Sequence, residues 1–163
     1  RLNVKKQQKL NKIRKQKTIK MENENRVPFS SFNFFEYNIK KSSLTLSDAE
    51  MSNKMQFEIN PSGELLDGNK FHLILDVHVN DANHYFDVSL EVHGIFEYIT
   101  KDMNNLLNFI CINAPAIIFP YIRAYVSTLT SLSGIPTIIM PTINMESVGR
   151  QLREKIQKEM DKN

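Results

Sequence analysis

The stretch "NAPAIIFPYIRAY", residues 113–125, decides how this chain is read. It has the apolar content of a helix, yet it holds Pro115 and Pro120 and a single charge, Arg123. It sits inside a longer anomaly. From Met103 to Met145, 43 residues, Arg123 is the only charged side chain. A membrane span would not be broken by Asn, Ser and Thr, by four prolines (Pro115, Pro120, Pro136, Pro141) and by Gly134. The segment therefore reads as pieces. "DMNNLLNFICI" starts a short helix. A second helix begins near Ala116 or Ile117, with Pro120 in its first turn, where a missing N–H costs nothing. Its stripe is Ile118, Ile122, Val126, Leu129 and Leu132, at helical spacing.

The other side of that helix carries Tyr121, Tyr125, Thr128 and Ser131. A helix without a charged face is not a solvated surface helix. The expected interface between copies of the chain is therefore Tyr121, Tyr125, Thr128 and Leu132. Next, "GIPTIIMPTINM" (134–145) is extended, apolar and punctuated by proline. Its Ile135, Ile138, Ile139, Met140, Ile143 and Met145 either fill the core or line a groove. "ESVGRQLREKIQKEMDKN" then places Val148, Leu152, Ile156 and Met160 at i+4 steps among charges, an amphipathic helix capped by Asn144.

Upstream, the texture is that of strands. In "FHLILDVHV" Phe71, Leu73, Leu75, Val77 and Val79 alternate with polar residues; in "YFDVSLEVHGIF" Phe86, Val88, Leu90 and Val92 do so, with "NDANH" as the hairpin loop between. One apolar and one polar face is the pattern of a sheet covered on a single side. Before them, "FSSFNFFEYNIKKSSLTLS" predicts a first strand or two, broken at Lys40-Lys41. "MQFEIN" predicts a short strand, and "PSGELLDGN" a turn-rich segment.

The polar face collects His72, Asp76, His78, Asp87, Glu91 and His93. Same-face neighbours on a strand stand roughly 6–7 Å apart, too far for three or four ligands to converge on one ion. The expectation is a solvated acidic face, without a metal, on which Asp76, Asp87 and Glu91 are candidates for docking a partner. Ser89 beside a histidine is the only hint of nucleophilic catalysis, and no motif positions it.

The totals set the outer bounds. With 163 residues the chain suits one domain with tails. Cys111, the only cysteine, excludes an internal disulfide framework and points to a reducing, cytoplasmic compartment. Residues 1–20 hold nine Lys or Arg and no acid, which leaves a net charge of −6 for residues 21–163. The leader lacks the roughly 7–15-residue apolar run of a secretory signal. Residues 1–28 are expected to be a disordered basic and polar extension, and 29–163 a folded domain. A nucleic-acid arm is disfavoured because the leader has charge and no interleaved aromatics.

The ordered pieces Gly94-Ile95-Phe96, Pro115 to Arg123, and Ile135 to Met145 resemble the bacterial export chaperone SecB. That family shows a "GIF" strand end, a "CPxxLFPYxR" helix start and an "FPxLxLxPVNF" crossover. Residues 94–145 fit without a gap, most specifically at Phe119, Pro120, Tyr121 and Arg123. Ala114 stands where the family has cysteine, Ile135 and Met145 where it has aromatics, and Pro141 falls one place early. The resemblance implies an α+β fold: a four-stranded antiparallel sheet with a long helix and a C-terminal amphipathic helix on one face. It implies a homotetramer, a dimer of dimers, that holds unfolded client polypeptides without ATP. The clients would come from protein export, with the export motor ATPase as a further partner, or be one dedicated protein such as an antitoxin of a toxin–antitoxin system. It implies no enzyme activity, cofactor or membrane insertion. The chain agrees in having no Gly-rich phosphate loop, nucleophile motif or metal-ligand spacing. The alternative is an oligomeric adaptor that binds a partner or nucleic acid through its basic leader.

Overall fold

The computed structural model describes residues 32–52, 54–99 and 103–162; the expected extension 1–28 lies outside them. Four strands and two helices follow in order: β1 (Phe32–Leu46), β2 (Met55–Leu66), β3 (Lys70–Asp81), β4 (Phe86–Tyr98), α1 (Met103–Leu132) and α2 (Glu146–Met160). The strands form one antiparallel sheet in the order β1-β4-β3-β2. This is the α+β architecture expected.

The alternation in β3 and β4 does what period two requires. Phe71, Leu73, Leu75, Val77 and Val79 on β3, and Phe86, Val88, Leu90, Val92 and Phe96 on β4, are all buried on one face. Each such side chain contributes about 1.5–3 kcal/mol by leaving water. Helix α1 crosses β1, β4 and β3 on that face, and α2 lies against β2 and α1. Ile110, Ala114, Ile118, Ile122 and Val126 form the buried stripe of α1. Val148, Leu152 and Ile156 form that of α2, with Met160 exposed at its end. Gly94 of the "GIF" motif makes room for the helix, because a Cβ there would stand 2.1 Å from Ile118 Cδ1.

Three expected breaks are absent. Strand β1 runs unbroken through Lys40-Lys41. Its register against β4 shifts between Phe34 and Glu36 and again between Ile39 and Lys41, so Phe35 and Lys40 are extra residues taken up as bulges. Strand β2 continues through Pro61 and Gly63 to Leu66. Proline is tolerated there because β2 is an edge strand, whose outer side needs no ladder donor. The turn is confined to Asp67-Gly68-Asn69, where Gly68 and Asn69 both take positive φ.

The third correction concerns the opening stretch. It is not the start of a second helix: α1 is one 30-residue helix with Pro115 and Pro120 inside it. Proline at position i removes the bond to the carbonyl of i−4, so the freed carbonyls are those of Cys111 and Ala116. Ala116 and Pro120 are exposed, and solvent can satisfy the second. The first meets α2. A Cβ on Gly149 would stand 2.7 Å from the Cys111 oxygen, so glycine lets the α2 backbone seat on the carbonyl that Pro115 leaves unpaired. The covered Cys111 thiol is pushed up to about 11 by burial. By length and composition Leu106–Leu132 would also cross a bilayer, with a mean hydropathy of 1.5; here one of its faces is packed on the sheet.

Candidate client-binding groove

The segment between the helices is held by side chains of α1. Gly134, with φ of 78°, turns the chain out of the helix. Four residues on, Ile138 is clasped on both backbone groups. Its N–H donates to Thr130 Oγ1 at 3.0 Å, and its carbonyl accepts from Ser127 Oγ at 2.8 Å. Thr130 is itself fully buried and donates to the Val126 carbonyl at 2.8 Å. The clasp sets which way each side chain of the extended segment points. Ile138 and Met140 turn inward, Met140 with no exposed surface, while Ile139 between them is 67% exposed. Ile135 and Met145 are also buried, and Ile143 is half-buried. The six candidates thus divide. Four fill the interior of the single chain, and Ile139 and Ile143 keep surface to offer. At the far end Asn144 Oδ1 accepts the Glu146 N–H at 2.9 Å, but the N-cap is Met145, without a side-chain cap bond, so the expected Asn144 cap is displaced by one residue and Asn144 stands just outside the helix.

Beside Ile143 runs a groove of about 230 Å³, lined by Phe57, Glu58, Ile59 and Asn60 of the edge strand β2 and by Ser147, Val148 and Gln151 of α2. A second exposed surface joins β1 to α1. Tyr37 meets Tyr121 in a tilted pair at 4.7 Å between ring centroids, Phe34 lies 5.8 Å from Tyr121, and Phe32 meets Phe109 edge-on at 5.5 Å. Tyr37, Phe109 and Tyr121 remain exposed. Sequence reasoning used Phe34 and Tyr37 only as strand residues. The signal was the aromatic run "FNFFEY" (32–37), which becomes a surface only once α1 is laid across β1.

The expected interface residues spread over α1. Tyr121, Thr128 and Leu132 are exposed, Leu132 most, at 83%. Tyr125 is half-buried and donates its hydroxyl to Ser42 Oγ of β1 at 2.9 Å. Exposed Phe109, Ile112, Ala116, Pro120, Ala124, Thr128 and Ser131 recur every three or four residues as one face whose single charge is the half-buried Arg123. On the outer sheet face, the docking candidates are not free carboxylates. Glu91 pairs with Lys41 and with His93, and Lys41 then His93 hold its carboxyl below the ordinary range. Asp87 pairs with His84. Asp76 lies near enough to Lys41 to raise that ammonium's pKa, after the larger effect of Glu91. His78 meets Ser89 Oγ at 3.0 Å, and among the described residues no carboxylate is bonded to its other nitrogen.

A one-sided antiparallel sheet, a long helix whose single charge is Arg123 and an apolar crossover beside a groove form the scaffold of a chaperone family. The chain belongs to the SecB family: the family described as preprotein translocase subunit SecB matches residues 34–155. Relatives agree with this. The protein-export protein SecB of Xylella fastidiosa is 26% identical over 112 residues, 66% of this chain and 65% of that protein. An uncharacterized protein of Methanocaldococcus jannaschii is 29% identical over 136 residues, 78% of this chain and 88% of the relative. The fold matches the Mycobacterium tuberculosis SecB-like chaperone solved in complex with a ChAD peptide from the HigA1 antitoxin. That match has a TM-score of 0.56 and 16% identity, over 69% of this chain and 90% of that one.

Proposed function

We propose that this chaperone holds extended, non-native polypeptides without ATP, in a path that runs from Ile139 and Ile143 along the β2–α2 groove. The observation that carries the reading is Ile139. A branched apolar side chain is held in water by a built clasp while its two neighbours are buried. Phe57 and Ile143 offer apolar surface in the groove itself. Apolar contacts without shape specificity suit a binder of many sequences. The exposed, largely apolar face of α1 supports assembly into a tetramer, which would cover it. A client of either kind, a protein bound for export or an antitoxin, would present the same extended apolar segments.

The test compares two glutamates. Ile139→Glu removes apolar contact worth about 1–2 kcal/mol, so it should leave the thermal transition in place and weaken suppression of aggregation of an unfolded model client. Met145→Glu buries a carboxylate and should cost several kcal/mol of stability. An Ile139→Glu protein that folds and holds client as well as the parent would remove this path from consideration.

A further inference from the structure

The outer face of the sheet contains a side-chain arrangement that client holding does not use. His72 on β3 and His93 on β4 are diagonal neighbours, since His72 pairs with Ile95 and His93 with Ile74. His72 Nε2 and His93 Nδ1 face each other at 3.0 Å. The other nitrogen of each ring is bonded to a carboxylate: His72 Nδ1 to Glu64 Oε1 of β2 at 3.2 Å, and His93 Nε2 to Glu91 Oε1 at 2.9 Å. Glu91 is held in turn by Lys41 of β1. The row crosses all four strands, and about a fifth of each imidazole side chain is open to solvent.

Carboxylates accept, so the two outer ring nitrogens donate. With their outer nitrogens so engaged, the two rings turn their inner nitrogens toward each other at 3.0 Å. The same arrangement, two imidazoles with converging inner nitrogens and outer nitrogens tied to carboxylates, is how metal-binding histidines are oriented. Among the described residues no three His, Cys, Asp or Glu side chains converge as a ligand set, so the pair would supply two ligands and water the rest. The spacing also selects the ion. With metal–nitrogen bonds of about 2.0–2.1 Å, nitrogens 3.0 Å apart subtend roughly 90–95° at the metal. That is the cis angle of a tetragonal ion and well below the tetrahedral angle zinc prefers.

We infer that His72 and His93 form a surface site for one tetragonal divalent cation, Ni2+ or Cu2+, bound between the two facing ring nitrogens.

The experiment is calorimetric titration of the untagged full chain with Ni2+, beside the same titration with Zn2+. One ion per chain is expected, with Zn2+ binding more weakly. His72→Gln and His93→Gln should each abolish binding with the thermal transition retained, whereas a His78→Gln, His84→Gln double variant, which removes the other two histidines, should bind as the parent does. Glu91→Gln keeps both ligands and should weaken binding about tenfold or more; it serves as the decisive variant if a histidine variant does not fold. No Ni2+ binding, binding unchanged in the His72, His93 or Glu91 variants, or tighter binding of Zn2+ would each overturn the inference.

Discussion

Gly149 shows how one residue can settle the fate of a helix turn 38 residues earlier in sequence. An exposed helical glycine gains up to about 1 kcal/mol on replacement by alanine. Here the added Cβ would meet the Cys111 carbonyl at 2.7 Å and its carbonyl carbon at 3.2 Å, both backbone atoms that cannot swing away. Gly149→Ala should therefore destabilise by about 1–3 kcal/mol in urea denaturation; a stabilised variant would show that α2 does not seat there. Asp81 is a second residue with a signed prediction. It is buried beside the β3–β4 turn. Burial by itself raises its pKa, but the Ser52 hydroxyl and the backbone N–H groups of Asn83, Ser52 and Tyr85 together outweigh that and hold it low. A carboxyl depressed in the folded state stabilises above its unfolded pKa and loses that contribution as pH falls through the folded value. Asp81→Asn should thus be less stable than the parent at pH 7, and the gap should close below about pH 4. A gap that stays constant from pH 7 to pH 2 would show that the ionised carboxylate is not what matters.

Among elements, the crossover and α1 depend on each other. The crossover has no periodic partner strand, and the Thr130 and Ser127 hydroxyls replace one. Thr130→Val keeps the shape and leaves the Ile138 N–H buried without an acceptor, which costs about 1–3 kcal/mol. Faster amide exchange at Ile138 should accompany the loss. Ser127→Ala frees a carbonyl at a half-buried position and should cost less. Equal losses, or none in Thr130→Val, would mean that apolar packing of Met140 and Ile135 alone positions the segment.

For the whole molecule, the exposed face of α1, with Arg123 as its one charge, calls for a covering partner. Phe109, Ile112, Ala116, Ala124 and Thr128 are exposed along it, and a charge placed there meets no buried partner within one chain. The expected assembly is a tetramer of 18.9 kDa chains. Ala124→Glu with Thr128→Glu should lower the sedimenting mass at micromolar concentration without unfolding the protomer. Tyr125, named from sequence for the same purpose, is the poorer site, because its hydroxyl already bonds Ser42 within the chain. A parent protein that sediments as a monomer would leave the face without a partner copy.

Much of this protein is legible locally. Alternation along β3 and β4, i+4 steps along α2, and a 43-residue run with one charge each state which side of a segment leaves water, because the periods of strand and helix are properties of the backbone itself. The remainder depends on what stands opposite. Pro61 is harmless only on an edge, and strand order makes the edge. The extra Phe35 and Lys40 are bulges only against β4. Pro115 stays inside a helix whose freed carbonyl meets Gly149, 34 positions later in the chain. Ile139 is exposed and Met140 buried because two hydroxyls of α1 hold Ile138 between them. His72 and His93 meet because the register of two strands sets them on one diagonal. Each outcome is fixed by a contact between residues far apart in sequence, and a local pattern carries no information about its distant partner.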